Sequence, residues 1–290
     1  MKWLLIVFSS FVILSLFGQI YLVHRDNNVD SNHTLTHSSR QYDLDFYNQA
    51  EEKAVKYRIS PNGKVLGGII PHHLLAAPII QAFFDGIEEN FDTIILITPN
   101  HYNAGYDNIQ VSYARWETPY GELNPNVEIL DNISKDTAGH NENVFENEHA
   151  VYGTVAFIKK KFPSAKLVPI TVKSTTTKEE CDQLTEILRS LSEDVLVLVS
   201  ADFSHYQTSN MADGFDKQSI EVITNFHLDK IYNLDSVKHV DTPASVYIIS
   251  KLMKENTATP QLLVNTNSAK LVDIDNLDGT TSYITFYFVK

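Results

Sequence analysis

The sequence predicts a single α/β domain with a mainly parallel sheet flanked by helices on both faces, preceded by an N-terminal transmembrane segment. Short runs of aliphatic and β-branched residues alternate with longer amphipathic stretches along most of the 290 residues. Such alternation is typical of βαβ units and of a parallel sheet. The short runs are apolar throughout rather than at every second residue, which is expected of strands that helices cover on both faces.

The first residues form a separate, strongly apolar segment. The stretch from Trp3 to about Val23 is apolar, and roughly 20 apolar residues can cross a bilayer. We therefore expect residues 1–23 to be an uncleaved, single-pass membrane anchor. The alternative is a signal segment whose cleavage would release a secreted protein. The polar residues 24–40 predict a flexible linker, and residues 41–290 the globular domain.

Within the globular domain, each element follows from its own pattern. Helices are predicted where apolar residues repeat with helical spacing, and strands where short apolar runs stand between turn residues. Pro163 ends one predicted helix, because proline does not fit a helix interior. In chain order the predicted helices are 42–57, 74–90, 147–162, 178–192, 212–226 and 243–256. The predicted strands are 65–70, 93–98, 109–116, 166–173, 195–200, 271–275 and 282–289.

Composition excludes several classes of function. Hydrophobic residues make up 43% and charged residues 20% of the chain, as in ordinary globular proteins. The formal net charge is −13 and no long basic run occurs, so nucleic-acid binding is not expected. The lone Cys181 excludes an intramolecular disulfide and a zinc site built from several cysteines. Walker A, G-x-G-x-x-G turn and G-x-S-x-G motifs are absent, which disfavours nucleotide-binding and α/β-hydrolase folds.

Histidines follow two of the predicted strands directly. Pro71 ends the strand 65–70 and is followed by His72 and His73, and His101 stands in the same position after the strand 93–98. Ligands of open α/β sheets gather at the carboxyl ends of the strands, and neutral imidazole is a common metal ligand. A single histidine at such a position could equally be a loop or helix-start residue. Two on neighbouring strands favour a metal site.

Acidic residues occupy comparable positions later in the chain. Asp202 and His205 lie just beyond the strand 195–200, where the carboxylate could orient the imidazole as a general acid–base. The alternative is a capping aspartate and a surface histidine. Asp241 immediately precedes a predicted helix and by itself is typical of an N-cap. His149 opens another helix, where it could line the same crevice or be solvated.

Taken together, these motifs resemble the Memo family, which includes the B component of the AmmeMemoRadiSam system. The resemblance covers about Lys64 to Lys290. The P-H segment of the family matches Pro71-His72, and its G-P-x-H segment matches Thr98-Pro99-Asn100-His101. Its E-H segment matches Glu148-His149, and its S-x-D-x-x-H-x-G segment matches Ser200 to Gln207. Several matches in the right order are specific, whereas each alone would be weak.

The chain also departs from the family pattern. The further ligand segment of the family is often Cys-Gly, and the equivalent stretch here reads Asp241-Thr242. Gln207 replaces the glycine of the Asp/His segment, and Ala150-Val151-Tyr152 replaces the polar residues that usually follow the E-H pair. The lost cysteine matters most, because thiolate and carboxylate favour different metals.

The resemblance implies a site as well as a fold. The family fold resembles that of class III extradiol dioxygenases, which are non-haem iron enzymes. By that resemblance His72 and His101 would be metal ligands, with Asp202 and His205 flanking the metal. If Asp241 takes the place of the cysteine, two imidazoles and one carboxylate form the facial triad of non-haem Fe(II) oxygenases. The expected cofactor is therefore a divalent metal, Fe(II) first, with Mn or Cu as alternatives.

These features lead to two main hypotheses of function. The first is a metal-dependent oxidoreductase that acts on a small, phenol-like ligand in a pocket at the strand ends. The second is a non-catalytic module that stores or presents metal, or binds a peptide in the same pocket. Metal-assisted hydrolysis is a weaker third hypothesis. Resemblance of fold does not decide among them, because one fold hosts many functions.

Overall fold

The structure is a computed structural model that describes residues 35–40, 42–191, 194–274 and 279–290. Within these ranges no helix combines the length and the apolar character needed to cross a bilayer. The predicted anchor, Trp3 to Val23, lies outside the described residues. The expected single-pass membrane localisation is therefore not supported, and this finding corrects it.

The secondary-structure elements alternate along the chain as expected for an α/β domain. The strands are β1 (Thr36–His37), β2 (Val65–Ile70), β3 (Thr93–Pro99), β4 (Ile109–Val111), β5 (Arg115–Thr118), β6 (Gly121–Leu123), β7 (Gly139–His140), β8 (Lys166–Val172), β9 (Val195–Ser200), β10 (Phe203–Gln207), β11 (Thr259–Asn267) and β12 (Thr280–Val289). The α-helices are α1 (Leu44–Ala54), α2 (Ala77–Gly86), α3 (Val127–Asp136), α4 (Glu142–Phe145), α5 (His149–Lys161), α6 (Lys178–Arg189), α7 (Ser209–Thr224), α8 (Leu228–Tyr232), α9 (Pro243–Glu255) and α10 (Ser268–Val272), and two 3₁₀ turns are Val55–Tyr57 and Leu74–Ala76.

The main sheet is mixed rather than mainly parallel, which corrects the prediction. Its strand order is β10-β12-β2-β9-β3-β8-β4-β7, and β11 pairs with β12. The central strands β2, β9, β3 and β8 are parallel, whereas β12 and β4 join this block antiparallel on either side. Strands β1, β5 and β6 form a small second sheet. The parallel block is the part that positions the strand-end residues of interest.

Helices cover both faces of the main sheet, as predicted. Successive residues of β3 point to opposite sides: Ile95 and Ile97 pack in one core with residues of α6 and α9. Ile94 and Leu96 pack in a second core with residues of α2 and α5. Both sides of the strand are therefore buried, which explains why its sequence is continuously apolar rather than alternating.

The predicted elements differ from the observed ones mainly near the sheet edges. The predicted strand 109–116 is interrupted and forms β4 and β5. The predicted strand 271–275 is wrong, because its described part begins within helix α10, and the adjacent strand is instead β11. Among the described strands, β11 pairs only with β12, and its residues Thr259, Leu262 and Asn265 are exposed, so its sequence lacks the apolar run of a central strand.

Strand β1 lies within the segment that was predicted as a linker. His37 is 6% exposed rather than solvated, and its Nε2 lies 2.9 Å from a carboxylate oxygen of Glu142. The same carboxylate binds His140 at 2.9 Å and accepts a hydrogen bond from the Ser112 hydroxyl at 2.7 Å. Residues 36–37 are thus attached to the globular unit, which begins at Leu35.

A buried carboxyl group links helix α7 to the segments around the strand ends. Asp216 is fully buried, and burial raises its pKa to about 6. The Ser204 hydroxyl lies 2.9 Å from Asp216 Oδ1 and 2.7 Å from the carbonyl oxygen of Lys238. One hydroxyl hydrogen cannot serve both acceptors. A protonated Asp216 that donates to Ser204 leaves the Ser204 hydrogen for Lys238.

We therefore expect Asp216→Asn to stabilise the protein at pH 8 but not near pH 4. The pKa of Asp216 is higher in the folded chain than in the unfolded chain, so this group lowers the free energy of unfolding as pH rises through that range. Removal of the charge should recover up to about 3 kcal/mol. Urea denaturation at both pH values measures the difference. The exposed Asp136→Asn is the control, and equal stability of Asp216→Asn and wild type at pH 8 would contradict the expectation.

Candidate metal centre

His72 lies at the carboxyl end of the central strand β2. Pro71 separates it from the strand, and its side chain is buried. The backbone N–H of His72 donates to Asp202 Oδ1 at 3.2 Å, and its Nδ1 lies 3.2 Å from the Ser200 hydroxyl. Ser200 is the last residue of the neighbouring strand β9 and pairs with Ile70. The ring is therefore held through Nδ1 by adjacent strands, and its Nε2 faces the other site residues.

His101 follows strand β3 and is held by Glu148. The Glu148 carboxylate accepts hydrogen bonds from the backbone N–H of His101 at 2.9 Å and lies 2.7 Å from its Nδ1. Glu148 is fully buried and also caps helix α5 by accepting from the N–H of Ala150. A carboxylate on Nδ1 keeps the hydrogen on that atom and leaves the Nε2 lone pair free.

His149 brings a third imidazole to the same place. It is the first residue of helix α5, and its ring centroid lies 4.1 Å from that of His101 and 5.3 Å from that of His72. One ring nitrogen of each of the three histidines lies within 4.8 Å of the other two. Such a cluster can bind a metal ion. His149 is also the most open of the three, with 55% of its side chain exposed.

Helix α5 approaches the strand end closely because of a glycine. A Cβ atom added at Gly153 would overlap the backbone carbonyl oxygen of His72. Any larger residue would push the helix, and His149 with it, away from the carboxyl end of β2. The Gly153 position therefore sets how near α5 lies to His72.

The two predicted aspartates face the same cluster. Asp241 Oδ2 lies 3.4 Å from His72 Nε2 and 3.7 Å from His101 Nε2. Asp202 Oδ2 lies 3.6 Å from His72 Nε2. The two segments are joined by hydrogen bonds from the Asp241 N–H to the Asp202 carbonyl oxygen and from the Asp202 N–H to Asp241 Oδ2. Asp241 is thus turned toward the histidines.

The chemistry of these groups fits a divalent cation. Burial, together with the Asp202 carboxyl, raises the pKa of Asp241 well above its ordinary value, and burial raises the pKa of Asp202 to about 7. Burial also lowers the pKa of His72. In the described residues no lysine or arginine pairs with Asp202, Asp241 or Glu148, and Asp241 Oδ1 is buried without a hydrogen-bond partner. A cation bound beside Asp202 and Asp241 would keep these two buried carboxyl groups ionised.

The predicted pair of Asp202 and His205 is not formed by a direct contact. Asp202 bonds to His72, as above, and no hydrogen bond or ion pair between the side chains of Asp202 and His205 occurs in the described part of the chain. His205 is half-buried in β10, with its backbone N–H bonded to the Val237 carbonyl oxygen at 2.7 Å. Burial and the charges of His101 and His73 lower its pKa to about 4, so it is neutral at pH 7.

Sequence reasoning left His149 undecided and missed the role of Glu148. The two residues form the E-H pair, which marks them only as neighbours at a helix start. Their joint function depends on His101, which lies 47 positions earlier along the chain. A buried glutamate directly before a histidine at a predicted helix start is the signal that could have revealed the arrangement.

A cavity of about 460 Å³ opens beside the cluster, at the carboxyl ends of β3 and β8. His101 and Asp241 line its inner side, and Tyr232 and Pro243 are among its apolar residues. Cavities of this size commonly bind small molecules. A second cavity, of about 550 Å³, lies at the opposite, amino ends of the strands, and no histidine lines it. The ligand pocket expected at the strand ends therefore has space next to the histidines.

Two MEMO1 family proteins and the profile of one family support the relationship that the motifs suggest. A MEMO1 family protein of Pyrobaculum arsenaticum is 27% identical over 202 residues, which cover 61% of this chain and 72% of that protein. Another, from Pyrobaculum aerophilum, is 25% identical over 205 residues, covering 65% and 73%. A solved structure of an uncharacterized Escherichia coli K12 protein aligns at a TM-score of 0.48 and 11% identity, over 76% of this chain and all of that one. The profile of the family described as Memo-like protein matches residues 43–277, most of the chain. The chain therefore belongs to the Memo family.

Proposed function

We propose that this Memo-family protein binds one divalent metal ion at His72, His101 and His149 and uses it in an oxidoreductase reaction on a small ligand in the adjoining cavity. The observation that carries the proposal is the convergence of the three imidazoles with the Asp241 carboxylate. These side chains come from four separate segments of the chain. The folding of the domain does not by itself require that acidic side chains and imidazoles gather at this place.

The donor atoms favour a hard or borderline metal. Imidazole nitrogen and carboxylate oxygen suit Fe(II) and Mn(II), whereas thiolate would favour Cu(I). The chain has one cysteine, Cys181, which lies buried in helix α6, and burial raises the pKa of its thiol to about 12. With Asp241 as a further ligand, the set contains the two histidines and one carboxylate of non-haem iron oxygenases. We therefore propose Fe(II) as the resident ion.

The protein residues have distinct roles in this proposal. A bound iron ion supplies the redox chemistry. Glu148 holds the proton on His101 Nδ1, and Ser200 fixes the His72 ring. Burial of His72 and Asp202 keeps water away from one side of the site. His205 is neutral at pH 7 and, in this proposal, accepts a proton from a phenol-like ligand.

The second candidate function is metal storage or presentation without turnover. The exposure of His149 favours it, because 55% of that side chain is open to solvent and an ion held there could be passed to a partner. The measurement that separates the candidates is oxygen consumption. Iron-loaded protein with catechols should consume O₂ if it is an oxidoreductase, whereas a storage module should hold the iron without consuming O₂ above the rate of free iron.

The first prediction concerns metal ligation. Loss of a residue that only hydrogen-bonds to a metal ligand can weaken metal binding by roughly 100-fold. His72→Ala or His101→Ala should weaken it by more than that, because each removes a ligand itself. Elemental analysis and chelator competition, after anaerobic loading, measure the affinity. His73→Ala is the matched control, because the Nδ1 of His73 bonds to the Leu75 N–H and the Tyr283 hydroxyl instead. Unchanged metal content in His72→Ala would refute the ligand assignment.

The second prediction tests Asp241 through two effects of opposite sign. Without metal, Asp241→Asn should raise the Tm at alkaline pH, because the raised pKa of Asp241 means that its ionised form destabilises the fold. With metal, the same variant should bind at least about tenfold more weakly and gain less stability from the ion. Thermal unfolding with and without metal measures both, with Asp136→Asn as control. If Asp241→Asn binds metal as wild type does, Asp241 is not a ligand.

The third prediction separates proton transfer from metal binding. His205→Ala should retain metal but slow any oxygen-consuming reaction by about 10²–10⁴-fold. Because the pKa of His205 is near 4, its protonation should not reduce the wild-type rate between pH 8 and pH 5. Steady-state rates and metal content are measured on the same samples. Loss of metal together with the rate would instead make His205 a ligand.

A further inference from the structure

The cavity beside the metal centre contains a buried lysine without a carboxylate partner. Lys173 follows strand β8, is 7% exposed and lines the same cavity as His101 and Asp241. Its ammonium donates to the carbonyl oxygen of Gly105 at 2.6 Å and lies 3.3 Å from that of Tyr106. In the part of the chain that the structure describes, no carboxylate lies within ion-pairing distance of it.

A buried ammonium in this state is incompletely satisfied. Lysine is almost never fully buried unless it is paired, because removal of its charge from water is costly. Carbonyl oxygens accept its hydrogens but do not neutralise its charge. An ammonium has three hydrogens, and within the described residues the two carbonyl groups account for two of them. Both the charge and the remaining hydrogen are suited to an anionic group of a ligand.

The other groups that line the cavity are compatible with the binding of an anionic ligand. A divalent ion bound at the histidines would offset the negative charge of the nearby carboxylates, so that it would not repel an anion beside Lys173. The residues that line the cavity also include Tyr232, Leu234, Ser174 and Thr176, and no aspartate or glutamate other than Asp241 is among them. The Ser174 hydroxyl and backbone N–H both donate to Asn103 Oδ1, so the loop after β8 is held in place beside the lysine.

We propose that the cavity binds a small molecule with an anionic group, a carboxylate or a phosphate, that pairs with Lys173 while another part of the molecule reaches the metal. This inference rests on the metal site of the proposed function and specifies the ligand class of that site. It assigns Lys173 to ligand recognition rather than to metal binding.

The competing explanation is that Lys173 only fixes the loop after β3. Its two carbonyl partners, Gly105 and Tyr106, lie in that loop, which also contains His101. A purely structural role predicts that loss of Lys173 weakens every ligand alike, or disturbs the metal site. A charge-recognition role predicts that only anionic ligands are affected. The two roles can therefore be separated with a neutral and a charged probe of the same shape.

The test uses the full chain loaded anaerobically with Co(II), whose visible absorption reports ligand binding without any turnover. The probes are 3,4-dihydroxybenzoate and 3,4-dihydroxybenzamide, which differ chiefly in the charge of one group. Wild type should bind the benzoate about tenfold or more tightly than the benzamide, as expected for a hydrogen bond between charged groups. Lys173→Met should abolish that preference, and Lys173→Arg should largely keep it.

Metal content measured on each variant keeps the conclusions separate. If cobalt binds normally but wild type does not prefer the benzoate, the anion site is overturned while the metal site stands. A preference that persists in Lys173→Met also overturns it. If wild type binds no cobalt, the proposed function itself fails. The comparison of the two probes in wild type does not depend on any variant. The proposal can therefore be refuted even if Lys173→Met misfolds.

Competition identifies the anion. Acetate and inorganic phosphate are each titrated against the bound benzoate in wild type and in Lys173→Met. Displacement by acetate at lower concentration supports a carboxylate ligand, and displacement by phosphate at lower concentration supports a phosphorylated one. Equal competition in wild type and Lys173→Met would mean that neither anion uses the lysine, and the proposal would be wrong.

Discussion

The arrangement of the candidate site depends on the buried carboxylate of Glu148. One group binds the backbone N–H and Nδ1 of His101 and caps the helix that begins with His149. It therefore fixes the loop after β3, the start of α5 and the tautomer of one imidazole together. Its charge is acceptable in the interior only because these donors surround it, since a buried carboxylate without them would be strongly destabilising. Any change at Glu148 should disturb both histidines rather than one.

The parallel strands explain why distant residues meet. Strands β2, β9 and β3 are hydrogen-bonded neighbours with aligned registers, so the segments that follow them leave the sheet at the same edge. Pro71 directly follows β2, and Pro99 is the last residue of β3, so each of these strands ends at a proline shortly before its histidine. For this reason the positions of His72 and His101 could be predicted from sequence, although their contacts could not.

What the sequence did not reveal depends on tertiary contacts. The edge strand β11 mixes exposed, partly buried and buried residues without regular alternation, and its pairing with β12 rather than any apolar run defines it. Glu148 has the local sequence of an ordinary helix cap, and only the approach of His101 makes it part of the site. Asp202 was expected to orient His205 but instead bonds to His72, because the loop geometry after β9, rather than spacing in the chain, decides its partner.

If Asp241 takes the place of the family's cysteine, as the resemblance implies, the electrostatics of the whole pocket change. A carboxylate beside Asp202 and Glu148 concentrates negative charge in a buried region, which is tolerable only with a cation bound between them. An aspartate gives harder ligation than a thiolate and leaves no sulfur in the described site to be oxidised. Lys173 lines the same cavity, and among the described residues no carboxylate pairs with it. A ligand whose anionic group pairs with this lysine while another part reaches the metal would be held at two points, which fixes its orientation as well as its affinity.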